Sequence, residues 1–291
     1  MIKYSEETKK LFFVLPAFSI YILCVLIPMI FSFILSFFYY DQISTPIFTG
    51  FDNFLWVLKD TRFWITVVNT FQIAFFAISG NIIVGFSLAL LLNRNIPRPL
   101  LYILRLSYFS PMLIATSFVA MIWTYFYNTD VGIFNYYLNQ IGIQKIPWLT
   151  DTTFSMIAII LMDIWKSSGF FMIIFLAALQ TVPTEYYEAA KIDGANAFQR
   201  ILNVTVPIIS PQIFFCFIVS SIGAIQIFES ILILTNGGPG DATRSIVMYL
   251  YEEGFESLDY GYASALSFIL FTIILIITIA QFKMQKKWVH Y

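Results

Sequence analysis

Six apolar runs divide this chain, near residues 11–39, 66–92, 103–127, 154–180, 209–234 and 263–282. Each reaches the roughly 20 residues that an α-helix needs to cross the hydrocarbon of a bilayer. Composition agrees with that reading. Apolar residues make up 59% of the chain and charged residues only 11%, whereas soluble domains are about a quarter charged. The sequence therefore predicts an all-α, polytopic membrane protein with six transmembrane helices and its core built in lipid. The first run follows Lys9 and Lys10, but it is too long for a signal-peptide core and shows no small-residue cleavage site, so it reads as a retained helix kinked at Pro16 and Pro28.

Charge sets the expected orientation. With the N-terminus inside, one side of the membrane takes Lys3, Lys9, Lys10, Arg94, Arg98, Arg105, Lys191, Arg200, Lys283, Lys286 and Lys287, and the other only Lys59, Arg62, Lys145 and Arg244. That split, 11 against 4, predicts both termini in the cytoplasm by the positive-inside rule. The net charge of −1 gives no reason to expect nucleic acid as a partner. Cys24 and Cys216 fall in apolar runs and read as buried hydrophobes, not as a disulfide. The single histidine, His290, argues against a histidine-based metal site or catalytic triad.

The most distinctive polar stretch is 185–211, EYYEAAKIDGANAFQRILNVTVPIISP, set between two apolar runs. Thr184 is the expected N-cap of a helix whose first turns carry Glu185 and Glu188, where the helix dipole favours acids. Ala189 and Ala190 keep that helix thin, so that another protein's backbone can come close, and Gly194 can take the left-handed conformation that ends it. A second short helix is expected from about Ala195 to Val204 before Pro207 and Pro211. The pattern suits docking of a soluble partner as well as it suits an ordinary cytoplasmic loop helix.

Polar groups inside a bilayer are costly and usually face a cavity or a partner. Asp163 and Lys166, with Trp165 between them, lie in the fourth run, and Gln226 and Glu229 in the fifth. Asp163 and Lys166 can pair with each other or contact a ligand; Glu229 can meet Lys166 across the bundle or lie near a wet surface.

Glu188-Ala189-Ala190, Asp193, Gly194 and Ala195 together resemble the EAA loop of ABC-importer permeases. GFDNFLWVLKDTRFW with Asn69-Thr70, WKSSGFFMIIFLAALQTVP (165–183) and LTNGGPGDATRSIVMYLYEEGF (234–255) resemble further family stretches, in family order. The chain is similar over most of its length to MalF-like, binding-protein-dependent sugar permeases. The resemblance implies a type I importer permease: a cytoplasmic segment 1–10, a transmembrane domain 11–283 with its coupling loop at 184–211, and a cytoplasmic tail 284–291, in a bacterial cytoplasmic membrane. It implies a second, MalG-like permease, two ATPase subunits and an extracellular solute-binding protein as partners, besides membrane lipid. Glu185, Glu188, Ala189, Ala190, Asp193 and Gly194 would meet the ATPase. The chain has no phosphate-binding G-x-x-x-x-G-K-[ST] loop, so ATP and Mg are expected on that partner and no cofactor on this chain.

A sugar site needs flat apolar faces for the ring and carboxyls, amides and hydroxyls for its OH groups. Tyr108, Asp163, Trp165, Lys166, Ser167, Phe170, Ser220, Gln226 and Glu229 offer both, and the resemblance places Ser167, Phe170 and Ser220 at sugar-contacting positions. Ala224 stands where the family pattern has an amide, which points to a substrate other than maltose, an oligosaccharide or glycoside. The alternative is a secondary transporter coupled to H⁺ or Na⁺ through Asp163 and Glu229. An intramembrane enzyme would need paired aspartates, an H-E-x-x-H or an activated serine, and none stands at a usable spacing.

Overall fold

The computed structural model describes residues 6–41 and 43–289. Lys3 and His290, part of the reasoning above, lie outside them. The helices are α1 (Glu6–Tyr21), α2 (Ile27–Leu35), α3 (Asp52–Lys59), α4 (Thr61–Leu92), α5 (Arg98–Leu113), α6 (Thr116–Phe126), α7 (Ile133–Gln140), α8 (Thr152–Thr181), α9 (Thr184–Ile192), α10 (Ala197–Arg200), α11 (Val206–Ile208), α12 (Ser210–Ile225), α13 (Glu229–Leu234), α14 (Ile246–Tyr251) and α15 (Tyr260–Gln285). Strands β1 (Phe38–Tyr39) and β2 (Ile47–Phe48) pair antiparallel, Phe38 opposite Phe48.

Among the described residues, four stretches are long and apolar enough to cross a membrane as one helix: Phe13–Leu35, α4, α8 and α15. Two more qualify as bent pairs, α5 with α6 at 102° and Ala197–Ile208 with α12 at 76°. Counting each pair as one span gives six. The unbroken helix expected over 103–127 is thus corrected to two. Pro111 has no N–H to donate, and Ile114 and Ala115 are extended (ψ 137° and 136°) before α6 restarts. The run 209–234 is also broken. α12 ends at Ile225, Phe228 is non-helical (φ −144°, ψ −64°), and α13 begins at Glu229. The Ile227 carbonyl freed there accepts the Ser245 hydroxyl at 2.8 Å, as a break in an apolar environment requires.

Prolines leave a second signature. π-Turns occupy Ile22–Leu26 and Ile201–Thr205, and Pro28 and Pro207 follow two residues later. A proline clashes with the carbonyl four residues back, here Cys24 and Asn203 inside the π-turns, and the wider turn accommodates that clash. A third π-turn, Glu252–Glu256, forms without such a proline.

The chain forms two compact units. One comprises residues up to Asp60 together with Leu250–Phe271. Its short hairpin is capped by the buried Asn53 amide, which donates to the carbonyls of Ser36 and Phe38 at 2.9 Å each, and Phe33, Phe54 and Phe268 pack beside it. The span Phe13–Leu35 buries none of its most apolar window within the chain. Cys24, expected to be buried, is exposed there, whereas Cys216 is buried.

The other unit, Thr61–Tyr249 with the chain from Thr272 onward, packs around two apolar clusters among the described residues. One gathers Ile73, Trp123, Tyr127, Ile159, Met162 and Ile231; the other gathers Ala89, Phe171, Met172, Phe175, Ile209 and Cys216. α8 contributes to both, and Asp151 caps its start by accepting from the amides of Thr153 (2.9 Å) and Phe154 (3.0 Å). Lipid tails are as apolar as these side chains, so close packing, and not exclusion from water, must hold the helices together. Glycines make that approach possible. A Cβ on Gly85 of α4 would lie 2.7 Å from Phe171 Cβ, and one on Gly169 of α8 would collide with the backbone carbonyl of Tyr108 in α5. Gly169→Val should therefore force α5 off α8, at a cost of about 1–3 kcal/mol or more because backbone must move. The expected outcome is a lower thermal midpoint and less monodisperse protein on size exclusion in mild detergent; wild-type behaviour would mean that this crossing is not needed.

Candidate functional site

The polar segment after α8 forms a helical hairpin. Pro183, not Thr184, takes the N-cap position of α9; Thr184 is its first residue and no side chain caps it. Proline's fixed φ suits that position (φ −63°, ψ 137°), which displaces the expected threonine cap. α9 ends in a Schellman turn. The Ala195 amide reaches the Ala190 carbonyl at 2.9 Å and the Gly194 amide reaches Lys191 at 3.1 Å. Gly194 sits at φ +80° with open space around it, so its conformation and not crowding calls for glycine. Asn196 and Gln199 then form a reciprocal capping box (2.9 and 2.8 Å) for α10. α10 is shorter than the expected 195–204 helix, because residues 201–205 widen into a π-turn. The Tyr187 hydroxyl meets Thr205 Oγ1 at 2.9 Å and closes the hairpin.

Glu185, Glu188, Ala189, Asp193 and Gly194 are exposed and Ala190 is half-buried. Tyr186, Ile192 and Phe198 are 57%, 87% and 67% exposed. Apolar side chains this open, interleaved with acids, form the kind of surface that a protein partner covers.

The intramembrane polar residues do not form one site. Asn81 of α4, 3% exposed, donates its amide to Asp163 Oδ2 at 3.2 Å and to Ser220 Oγ at 3.4 Å, joining α4, α8 and α12. Asp163 also lines a cavity of about 380 Å³ with Thr116, Gln226, Glu229 and Ser230. Glu229 accepts from Ser117 Oγ at 3.4 Å, and it does not meet Lys166. Asp163 and Lys166 make no ion pair either.

Tyr108 and Trp165 lie elsewhere, in a chamber of about 1060 Å³ with Trp123, Tyr127, Phe134 and Trp148. Trp165 packs on Trp123 with ring centroids 5.3 Å apart. Asp163 and Trp165 are two residues apart, about 200° around a helix of 3.6 residues per turn, so α8 presents opposite faces to the two spaces. Lys166, Ser167 and Phe170 line neither; Phe170 packs on the Phe171 side of the core. Ser220 is buried against Asn81 and does not line the polar cavity. Sequence reasoning did not single out Asn81, Thr116, Ser117 or Trp123. For Asn81 a signal existed, a carboxamide inside a long apolar run.

A third polar group holds the segment 236–246. The Asn69 amide donates to the carbonyls of Asp241 (2.7 Å) and Arg244 (3.2 Å), and Thr70 Oγ1 accepts the Ile246 amide at 3.0 Å. Arg62 pairs with Asp241 at 3.0 Å and lies over the Tyr249 ring at 5.1 Å; Arg244 also pairs with Asp241. Burial opposes ionisation of Asp241, but the Arg62 hydrogen bond and the charges of Arg244 and Arg62 outweigh it and hold the carboxyl below the usual carboxylate range.

A family model described as "Binding-protein-dependent transport system inner membrane component" matches residues 81–289. The chain belongs to that family. The permease is 33% identical over 287 residues to the trehalose/maltose transport system permease protein MalF of Thermococcus litoralis, covering 98% of this chain and 96% of that one. It is 36% identical over 231 residues to the sulfoquinovosyl glycerol transport system permease protein SmoG of Agrobacterium fabrum, covering 79% and 74%. A chain from the crystal structure of a bacterial alginate ABC transporter, bound to a periplasmic protein carrying an alginate pentasaccharide, superposes with a TM-score of 0.83 at 24% identity over 97% of this chain and 96% of that one. That likeness gives the type I permease fold. The permease is a multi-pass membrane transport component, and family membership answers the secondary-transporter alternative.

Asp241→Asn removes the charge that two arginines share. It should destabilise the 236–246 segment by about 1–2 kcal/mol, the low end for charged hydrogen bonds because Arg62 is partly exposed. The readout is faster amide hydrogen exchange across the segment. The native contribution of a carboxyl whose pKa falls on folding is present above its ordinary value of 3.8 and lost as pH drops through the lower folded value. Protection should therefore be flat from neutral pH to pH 5 and fall only below pH 4.

Proposed function

We propose that this permease is the MalF-like half of an ATP-driven sugar importer, paired with a second, MalG-like permease, two ATPase subunits and an extracellular binding protein. The observation that carries the reading is the exposed α9–α10 hairpin, with its acids and open apolar side chains, in a chain whose relatives are permeases of saccharide transport systems. On this reading residues 11–283 are the permease domain, 184–211 is the coupling loop, and both termini and that loop face the cytoplasm, in keeping with the lysine and arginine split. ATP and Mg belong to the ATPase partner, and this chain supplies the surface that follows the partner's closure. Glu188 meets a basic group there, Ala189 and Ala190 permit close approach, and the Gly194 turn holds the hairpin's angle. Displacement of α9 passes into α8 through Val182 and Pro183, two residues away in the chain, and biases an inward-open against an outward-open arrangement.

The chemistry of the cavities supports a neutral saccharide as cargo. The smaller one carries the carboxyls of Asp163 and Glu229 and the amide of Gln226, with no basic lining residue, and the larger one carries aromatic faces. An anionic sugar would meet two carboxyl groups in the first and find no basic side chain in the lining of either. In proteoliposomes of the assembled importer, neutral disaccharides should therefore be taken up at least ten times faster than a uronate disaccharide, and the reverse ratio would discard this substrate class.

Glu188→Arg tests the docking role. The variant should insert in the membrane normally but lose at least ten-fold in ATP-dependent uptake, with weaker recovery of the ATPase in a mild-detergent pull-down. Full uptake and full recovery would remove Glu188 from the interface.

A further inference from the structure

We infer that Asn81 is a positioning residue for substrate selection, acting through Asp163. The inference rests on the sugar-importer reading and adds to it a residue that never touches the cargo. Asn81 sits well inside α4, 3% exposed. Its amide nitrogen is spent on Asp163 Oδ2 and Ser220 Oγ, while its own Oδ1 is buried with no hydrogen-bond partner. A carboxamide half-satisfied in an apolar bundle is an unfavourable choice if helix packing is its only task. An apolar side chain of similar volume would join α4 to α8 without leaving an acceptor unpaired.

What the amide does that an apolar group cannot is to hold one oxygen of Asp163. Asp163 Oδ1 has no hydrogen-bond partner among the described residues, and Asp163, unlike Asn81, lines the polar cavity beside Gln226 and Glu229. One carboxyl oxygen is thus fixed to the bundle and the other is left for the cavity. An amide donor fixes a carboxyl without bringing a counter-charge, so the free oxygen keeps its capacity to accept from a sugar hydroxyl. Lys166, one turn along α8, makes no direct ion pair with Asp163 and acts on it only as a charge at longer range, so it does not occupy the free oxygen. Ser220, the other partner of Asn81, limits how far the amide can swing.

A double-mutant cycle separates positioning from mere packing. The importer, assembled with its partners in proteoliposomes, is given radiolabelled maltose, trehalose and cellobiose, which share a composition and differ in the placement of their hydroxyls. The quantity read is the ratio of uptake rates between the two best carried sugars, which a change in the amount of folded complex leaves unaltered. Asn81→Leu should shift that ratio at least three-fold in the same direction as Asp163→Asn, and the double variant should match Asp163→Asn alone. Asn81→Ser, smaller and still polar, should shift it the same way and serves if the leucine variant does not assemble. Variants that lose yield or thermal stability at an unchanged ratio would overturn the inference, as would effects of Asn81 and Asp163 that multiply. A wild-type importer that carries neither these three sugars nor any member of a wider panel of neutral oligosaccharides and glycosides would instead strike down the sugar-importer reading on which the inference stands.

Discussion

Every peptide group inside lipid must find its hydrogen-bond partner within the protein, and that demand organises the breaks in this chain as much as its helices. Where α12 ends, the carbonyl of Ile227 takes the Ser245 hydroxyl. The same demand reaches buried backbone beyond the spans: in the segment 236–246 the Asn69 amide donates to the carbonyls of Asp241 and Arg244, and the Thr70 hydroxyl accepts the Ile246 amide. These residues stand in two of the stretches quoted above for their family resemblance. Their contact gives that resemblance a physical content: a short Asn-Thr pair in one helix serves the backbone of a distant turn.

The fold class was legible because a run of about 20 apolar residues has few structural options. Helix ends were legible where the chemistry is local: the Asp-Gly stop of α9 is in the sequence, and so is its acidic first turn. Breaks inside apolar runs were less so. Pro111 is a local sign of one that the expected 103–127 helix did not use, and nothing in Gln226-Ile227-Phe228 announces the end of a helix, since that break depends on Ser245, 18 residues away. The Thr184 cap failed for a related reason, because the preceding proline fits the capping position by geometry while threonine fits it by hydrogen bonding.

The candidate site divided along the same line. Sequence reasoning selected polar and aromatic residues on the third, fourth and fifth runs as one set, and the structure sorts them by helix face. Asp163 and Trp165 were chosen together because they are neighbours in sequence, yet on a helix that spacing places them back to back. Asn81 escaped notice because a single amide on α4 gains meaning only when α8 and α12 bring Asp163 and Ser220 to it.

α8 is an unbroken helix of 30 residues, about 45 Å long at 1.5 Å per residue. It is capped at one end by Asp151, joined at the other to α9, and it presents opposite faces to the polar cavity and the aromatic chamber. Stiffness over such a length makes it a lever. A tilt of roughly 5° about one end would carry the other through about 4 Å, the scale of a helix turn. Both spaces draw part of their lining from this helix, Asp163 on one face and Trp165 on the other, so a tilt of α8 is felt in both at once.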